Sequence, residues 1–356
     1  MKVFDIRYRD VVLRVICDDN QYDVIKEVID GHGTITDAAG DPTYTVVTSK
    51  MFTGKGMHET LSDKWFNNAT MDCFIDNDRQ ACYIQNINAD SEKNANSLLQ
   101  TSVLNTFNRL LETKGYVSFH ASSVEKDGKG VIFVAPRNSG KTCCMLNTIG
   151  HGFNLVCNDK VAVRFDPNGS DCYGVMDKDV NIRLSPEFLR VPENQKYADR
   201  ARELGIPLGQ ENELEGDKLR MTPNELAEFN GVEKVYSTSM TGMVYPMYDP
   251  SVQHAQFTRL TPEQAYELLR SQQLPLVHPT KEYFKNIETG DVPEYPSEEA
   301  LREICATYPF YMLAQNEMTN DEVASGVEAI INGEMEAWLS QNPQCVGHQD
   351  VPTIDD

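Results

Sequence analysis

The chain has 356 residues, of which 40% are hydrophobic, so it can build one large domain or two ordinary ones without covalent staples. Its formal net charge of −22, from 32 basic and 54 acidic side chains, opposes binding to nucleic acid or an anionic membrane. The nine cysteines contain no C-x-x-C pair, and the adjacent Cys143 and Cys144 favour a reducing compartment. The charged start MKVFDIRYRD does not resemble a signal peptide, and no apolar run approaches 18 residues. These features predict a cytoplasmic protein.

The first 95 residues predict a small α+β domain. Apolar and polar residues alternate over 4–16 as in a strand, and helical spacing follows over 22–29. Further strand-like runs occur at 43–47 and at 72–84, where the polar residues 76–78 predict a hairpin turn.

A second domain is predicted over 96–356. It begins with an amphipathic helix at 97–113, whose apolar residues recur every three or four positions. Strand, loop, helix and strand patterns then follow in turn, which is typical of a three-layer α/β domain.

The string APRNSGKT, residues 135–142, nearly matches the phosphate-binding loop (P-loop, Walker A) pattern G-x-x-x-x-G-K-[ST]. An apolar β-branched run at 130–134 precedes it and a helix-compatible run at 143–149 follows, so the order is strand, loop, helix. Ala135 replaces the first glycine, but it lies at the strand end, where a methyl group is a small intrusion. We therefore predict a working nucleotide site.

In such a loop, backbone N–H groups wrap the β-phosphate, and the residues that would supply them here are Asn138, Ser139, Gly140, Lys141, Thr142 and Cys143. Lys141 adds a cation for the β- and γ-phosphate oxygens, and Thr142 offers a hydroxyl to Mg²⁺. Gly140 must remain glycine because the backbone approaches the phosphate too closely for a Cβ. Cys143 and Cys144 have no base nearby, so we interpret them as small buried hydrophobic residues rather than as nucleophiles.

A carboxylate that orients the metal is expected at the tip of a neighbouring strand. The run 153–157 predicts such a strand, and it ends in Asn158, Asp159 and Lys160. Alone, Asp159 would be interpreted as a turn or capping residue. Its position after the loop helix favours a metal ligand instead.

The whole run from His120 to Val161, HASSVEKDGKGVIFVAPRNSGKTCCMLNTIGHGFNLVCNDKV, resembles the bacterial HPr kinase/phosphorylase family and the related kinases. The family pattern is H-x-x-x-V, a strand, the P-loop, a helix and R-G-[HF]-x-L-[VL]-x-[DN]-D-[RK]-[VL]. His120 lies 21 residues before Lys141 and Asp159 lies 18 after it, as expected for the family. Softer similarities occur at 181–186, at 243–246 and at 257–265.

The resemblance implies a P-loop HPr-kinase-like α/β core with a central mixed sheet, which uses ATP and Mg²⁺ to phosphorylate a hydroxyl. Carried over by position, Lys141 and Thr142 would hold the triphosphate and metal, and Asp159 would bind Mg²⁺. His120 would line the phosphate site, although alone it would be interpreted as a core histidine. Arg183 would meet the transferred group or the acceptor, although a surface ion pair is an equal alternative.

Asn158 stands where the type enzyme of the family has the first of two adjacent aspartates, which is expected to accept the proton of the acceptor hydroxyl; the related kinases have asparagine at this position. An amide cannot take up that proton, so Asp159 or His120 would have to replace it. Because positioning and charge stabilisation dominate phosphoryl transfer, losing one base need not abolish the reaction.

The resemblance leaves several functions open. The leading one is a kinase acting on a serine of a small protein or ribosomally made peptide. A small-molecule alcohol is an alternative acceptor. Two other functions are also open: a nucleotide-binding regulator without turnover, and a phosphatase or phosphorylase of a phosphoserine. The type enzymes are oligomers, so a homo-oligomer is also open.

Overall fold

The computed structural model describes residues 1–29, 33–63, 68–164, 171–174, 180–206, 218–277, 279–289 and 298–347. The backbone divides into two compact units. The N-terminal unit comprises the described residues of 1–117 and 275–296, and the C-terminal unit comprises those of 118–274 and 297–356.

The N-terminal unit is a mixed seven-stranded sheet with two α-helices. In chain order its elements are β1 (Lys2–Tyr8), β2 (Val11–Cys17), α1 (Asp19–Ile29), β3 (Thr34–Asp37), β4 (Tyr44–Val47), β5 (Met57–Asp63), β6 (Ala69–Asp76), β7 (Ala81–Asn88) and α2 (Glu92–Thr113). The strand order is β3-β1-β2-β4-β7-β6-β5, in which the β2-β4 and β4-β7 pairs are parallel and the other pairs are antiparallel. The predicted α+β character of this part is therefore present.

Two local features show how the sequence forms these strands. The alternating run 4–16 is a hairpin rather than one strand, because Arg9 takes a left-handed φ of 51° and reverses the chain between Tyr8 and Val11. The turn predicted at 76–78 is confirmed: Asp76 accepts a hydrogen bond from the backbone N–H of Arg79 at 3.2 Å and starts a short 3₁₀ helix.

Helix α2 begins five residues before the predicted start of its apolar pattern, because the Ser91 side chain caps it by accepting from Asn94 N–H at 3.2 Å. Its apolar face packs on strands β2, β4, β6 and β7. The helix therefore belongs to the N-terminal unit, together with 275–296, whereas the sequence placed it at the start of the second domain. The unit boundary falls at 117/118 rather than at 95/96, and the kinase role of 96–356 stays a prediction.

The C-terminal unit contains a large mixed sheet and eight α-helices among its described residues. Its elements are β8 (Val117–Phe119), β9 (Ala121–Lys126), β10 (Lys129–Val134), α3 (Lys141–Gly150), β11 (Asn154–Cys157), β12 (Val161–Arg164), β13 (Asp171–Gly174), β14 (Val180–Arg183), α4 (Pro186–Arg190), α5 (Gln195–Glu203), β15 (Lys218–Met221), α6 (Pro223–Asn230), β16 (Ser237–Tyr248), β17 (Gln256–Arg259), α7 (Pro262–Ser271), β18 (Gln273–Leu274), α8 (Glu298–Thr307), β19 (Phe310–Gln315), α9 (Asn320–Asn332) and α10 (Met335–Gln341). The chain is thus mixed α/β, as predicted.

The direction of four strands in the large sheet positions the candidate site. Strand β10 is parallel to β16, and β16 is parallel to β19. Strand β9 is antiparallel to both β10 and β11, so β11 runs in the same direction as β10. The carboxyl ends of β10, β11, β16 and β19 therefore lie at one edge of the sheet, which is where ligands bind in many α/β proteins.

The other sequence-predicted elements lie close to their expected places. The run 243–246 falls inside β16, and α7 begins at Pro262 behind a capping box formed by Thr261 and Gln264. Among the helices of the described residues, none is both long and apolar enough to span a bilayer.

Candidate functional site

The candidate site is the loop between β10 and α3. Val131 to Val134 are at most 1% exposed, which anchors the strand in the core, and Ala135 is completely buried directly after it. Ala135 is not among the residues with a positive φ, so this position does not need glycine. The structure thus explains why alanine fits where the loop pattern has its first glycine.

Gly140 is the N-cap of α3 and takes a left-handed φ of 96°, which favours glycine. A methyl group on Gly140 would lie 2.5 Å from Nε2 of Gln315, so the end of the Gln315 side chain would have to shift. No side chain among the described residues caps this end of the helix. The first helical hydrogen bond runs from Cys144 N–H to the Gly140 carbonyl at 2.8 Å. The N–H groups that precede this bond have no carbonyl partner within the helix, an arrangement that suits an anion.

Lys141, the first residue of α3, folds back over the loop. Its side chain is 6% exposed, and its ammonium donates to the carbonyl oxygens of Ala135 and Pro136, both at 2.6 Å. Burial lowers the pKa of Lys141 from 10.5 to about 8; the Asp159 carboxylate opposes this shift and the Arg137 guanidinium adds to it. The ammonium is therefore a desolvated cation at the loop.

His120 lies immediately before β9, at the same edge of the sheet. Its backbone N–H donates to the Gln272 carbonyl at 2.8 Å. Burial, followed by repulsion from Lys141 and Arg137, lowers the pKa of His120 from 6.5 to about 4. The imidazole is therefore neutral near pH 7, and one ring nitrogen can accept a proton.

The Thr142 hydroxyl contacts the turn that follows β11. It donates to Oδ1 of Asn158 at 3.2 Å, and Asn158 is only 4% exposed. Asp159 takes a left-handed φ of 70°, and its carbonyl accepts from Ala121 N–H at 3.3 Å, which fixes the turn beside β9. A left-handed non-glycine residue stores local strain, a feature that is frequent at functional sites.

The oxygen atoms of these side chains decide whether the site could hold Mg²⁺. Within the described ranges no cluster of three or more His, Cys, Asp or Glu side chains could hold a metal ion alone. Mg²⁺, however, usually takes one or two protein oxygens and completes its shell with phosphates and water. The hydroxyl of Thr142 and the carboxylate of Asp159 fit that demand.

The structure does not connect every predicted site residue with the loop. Arg183 ends β14 in a separate two-stranded sheet with β15, where it pairs with Lys218, and its side chain is exposed. No hydrogen bond or ion pair within the described part of the chain joins it to the loop. Burial raises the pKa of Cys143 to about 11, which opposes a thiolate nucleophile. Ser139 donates its hydroxyl to the Pro136 carbonyl at 2.8 Å and Asn138 takes a φ of 66°, so both shape the loop.

Two residues at the loop were missed by sequence reasoning. Arg137 is exposed and acts electrostatically on Lys141 and His120. Its charge inside the loop string was the signal that could have found it. Gln315, the last residue of β19, lies against Gly140 and left no local signal, because only the strand order brings it there.

Comparisons with known proteins add little to this picture. No family model and no curated protein matches the chain. A search of solved structures finds the HPr(Ser) kinase/phosphatase from Coxiella burnetii, which is 13% identical over 62% of this chain and 97% of that chain, with a TM-score of 0.28. A TM-score this low does not establish a common fold.

Proposed function

We propose that the protein is an ATP-dependent phosphotransferase that moves the γ-phosphate to a hydroxyl group. The observation that carries this proposal is the arrangement at the start of α3. Buried Lys141 is held between loop carbonyls, and Thr142 contacts the turn that contains Asp159. Both lie beside backbone N–H groups that suit a phosphate chain.

The N–H groups of Lys141, Thr142 and Cys143 would bind the β-phosphate, together with the loop at Asn138 and Ser139. A triphosphate would also attract the Lys141 ammonium and raise its pKa, since a nearby negative charge favours the charged form. Arg137 adds a second cation at the open side of the loop.

Thr142 and Asp159 would hold Mg²⁺, with Asn158 supporting the Thr142 hydroxyl through its amide oxygen. The ion would supply neutralisation of the charge that develops on the phosphate oxygens.

The proton of the acceptor hydroxyl needs a base other than Asn158, whose amide does not titrate. His120 is a candidate because its imidazole is neutral near pH 7, although a pKa of about 4 makes it a weak base. The carboxylate of Asp159 is the alternative. Either base suffices in a loose transition state, where the hydroxyl becomes acidic only late in the transfer.

The acceptor class rests on the sequence resemblance and on charge. A serine of a small protein or ribosomally made peptide is the leading acceptor, and a small-molecule alcohol is the other. The net charge of −22 favours a basic or neutral acceptor over an acidic one. Arg183 stays a candidate for contact with the acceptor.

A second function is favoured by one observation. Asn158 is buried and its amide oxygen already accepts the Thr142 hydroxyl, as expected if the protein binds nucleotide and responds to it without turnover. The two functions differ in whether bound ATP is ever consumed.

The test is transfer of γ-labelled phosphate from Mg·ATP into a desalted lysate of the source organism and, separately, into its small-molecule fraction. Lys141→Ala is the inactive variant, and Lys129→Ala, which removes an exposed lysine from the start of β10, is the matched control. If wild type and Lys129→Ala label a polypeptide and Lys141→Ala does not, the result supports a protein or peptide kinase. Label among the small molecules instead would identify a small-molecule acceptor. ATP binding without label or ADP release in either fraction would support the regulator and contradict the kinase.

A further inference from the structure

We propose that Gln315 is a phosphate-binding residue of this site, in which its side-chain amide donates to a phosphate oxygen next to the first turn of α3. The inference rests on the proposed nucleotide site and adds a ligand contact that comes from a distant part of the chain.

The position of Gln315 follows from the sheet. Strand β19 runs parallel to β16, which runs parallel to β10, so β19 ends at the same edge as the loop. Gln315 is the last residue of β19 and is 2% exposed. Its Nε2 would lie 2.5 Å from a methyl group on Gly140, so the amide is directed at the N-cap of α3.

The Gln315 amide also lacks a partner within the described part of the chain. The backbone carbonyl of Gln315 accepts from Asp249 N–H at 3.0 Å, but the side-chain amide forms no hydrogen bond there. The next residue shows the contrast: Asn316 donates to the Val252 carbonyl at 2.7 Å and accepts from Met318 N–H at 2.9 Å. A nearly buried glutamine whose amide is directed at a helix N-terminus, rather than at a protein partner, is placed to bind a ligand there.

The chemistry of the surroundings decides which ligand fits. The helix terminus, Lys141 and the Gln315 amide together offer donors and positive charge in one place. Phosphate oxygens at neutral pH are acceptors, and an uncharged NH₂ group can bind them without the repulsion by which a further cation would lower the pKa of Lys141. If the Gln315 side chain only packed against Gly140, an apolar side chain of the same shape would serve equally well.

The test measures binding of pyrophosphate and of Mg·ATP by calorimetry to wild type, Gln315→Met and Gln315→Ala, with thermal melting of each protein. Methionine keeps the length and shape of the side chain but removes the donor. We expect both variants to bind both ligands roughly tenfold more weakly, without a lower melting temperature for Gln315→Met. Gln256→Met, on the adjacent strand β17, is the matched control and should bind as wild type does.

Each outcome decides the question. Wild-type affinity in Gln315→Met, or a loss confined to Gln315→Ala, would show a packing role and overturn the inference. Pyrophosphate binding that depends on Gln315, without any transfer from ATP, would support the inference and contradict the kinase. A wild-type protein that binds neither ligand would contradict both.

Discussion

Replacing Lys141 with methionine should change how stability depends on pH. In the folded protein the pKa of Lys141 is about 8, whereas the ordinary value, which applies to the unfolded chain, is 10.5. Below pH 8 both states carry the charge, and the folded state bears the full cost of burying it. Between pH 8 and 10.5 the folded protein loses the proton while the unfolded chain keeps it, so the free energy of unfolding rises with pH.

The size of the effect follows from the two pKa values. At 1.36 kcal/mol for each pH unit of difference, the wild type should gain about 2.5 kcal/mol between pH 7 and pH 10 relative to Lys141→Met. The hydrogen bonds from the ammonium to two carbonyls at 2.6 Å favour the charged form, so the gain is at most about this size. Those carbonyls lose a donor in the variant. This loss changes the free energy of unfolding by the same amount at every pH, so it does not alter the difference in pH dependence.

The assay is urea denaturation under reducing conditions at several pH values, followed by tryptophan fluorescence in a Trp65→Phe background. Trp338, in α10 of the C-terminal unit, then reports on the unit that contains the loop. Lys129→Met, at an exposed lysine, is the control and should give a curve parallel to wild type. A parallel curve for Lys141→Met as well would refute the desolvation argument, because the ammonium would then have the same pKa in both states.

Three further predictions concern the loop and its ligands. Gly140→Ala should weaken Mg·ATP binding by about 10- to 100-fold, because φ is 96° and the methyl group meets Gln315, whereas Gly150→Ala, with no atom within 4 Å, should bind normally in calorimetry. Asp159→Asn should remove phosphoryl transfer and Asn158→Asp should spare it, and equal activity of both variants in the labelled-ATP assay would contradict these roles. Mg·ATP affinity should fall roughly tenfold per pH unit above pH 8, because Lys141 must regain its proton to bind the phosphates. At pH 8 binding should take up about half a proton, and binding without proton uptake at that pH would contradict this prediction.

The sequence was most informative where structure depends on neighbouring residues. The strand before the loop, the helix after it and the hairpin turn at 76–78 each carry a local cause, such as a buried β-branched run or an Asp side chain that caps a turn. The run 4–16 was misjudged as one strand because its alternation continues through the turn. The left-handed conformation of Arg9 that reverses the chain has no mark in the alternation.

The boundary between the two units could not be predicted in the same way. The apolar stripe of α2 predicts that one face of the helix is buried, and the buried residues Leu98, Val103 and Phe107 confirm it. A stripe does not specify which surface covers it. The strands that do so precede the helix, and the sequence grouped it with the strands that follow.

The candidate site combines both situations. Lys141, Thr142 and the turn at Asp159 could be predicted because a loop, a helix start and a strand end each have a recognisable local pattern. Gln315 could not, because a glutamine after an apolar strand is ordinary, and only the parallel β10-β16-β19 arrangement gives it a place beside Gly140. The same arrangement supports the proposal that a chain with a net charge of −22 binds a polyanion. Short-range donors and a desolvated cation gather at one sheet edge, where low dielectric strengthens them, while the acidic side chains elsewhere are screened by solvent and salt.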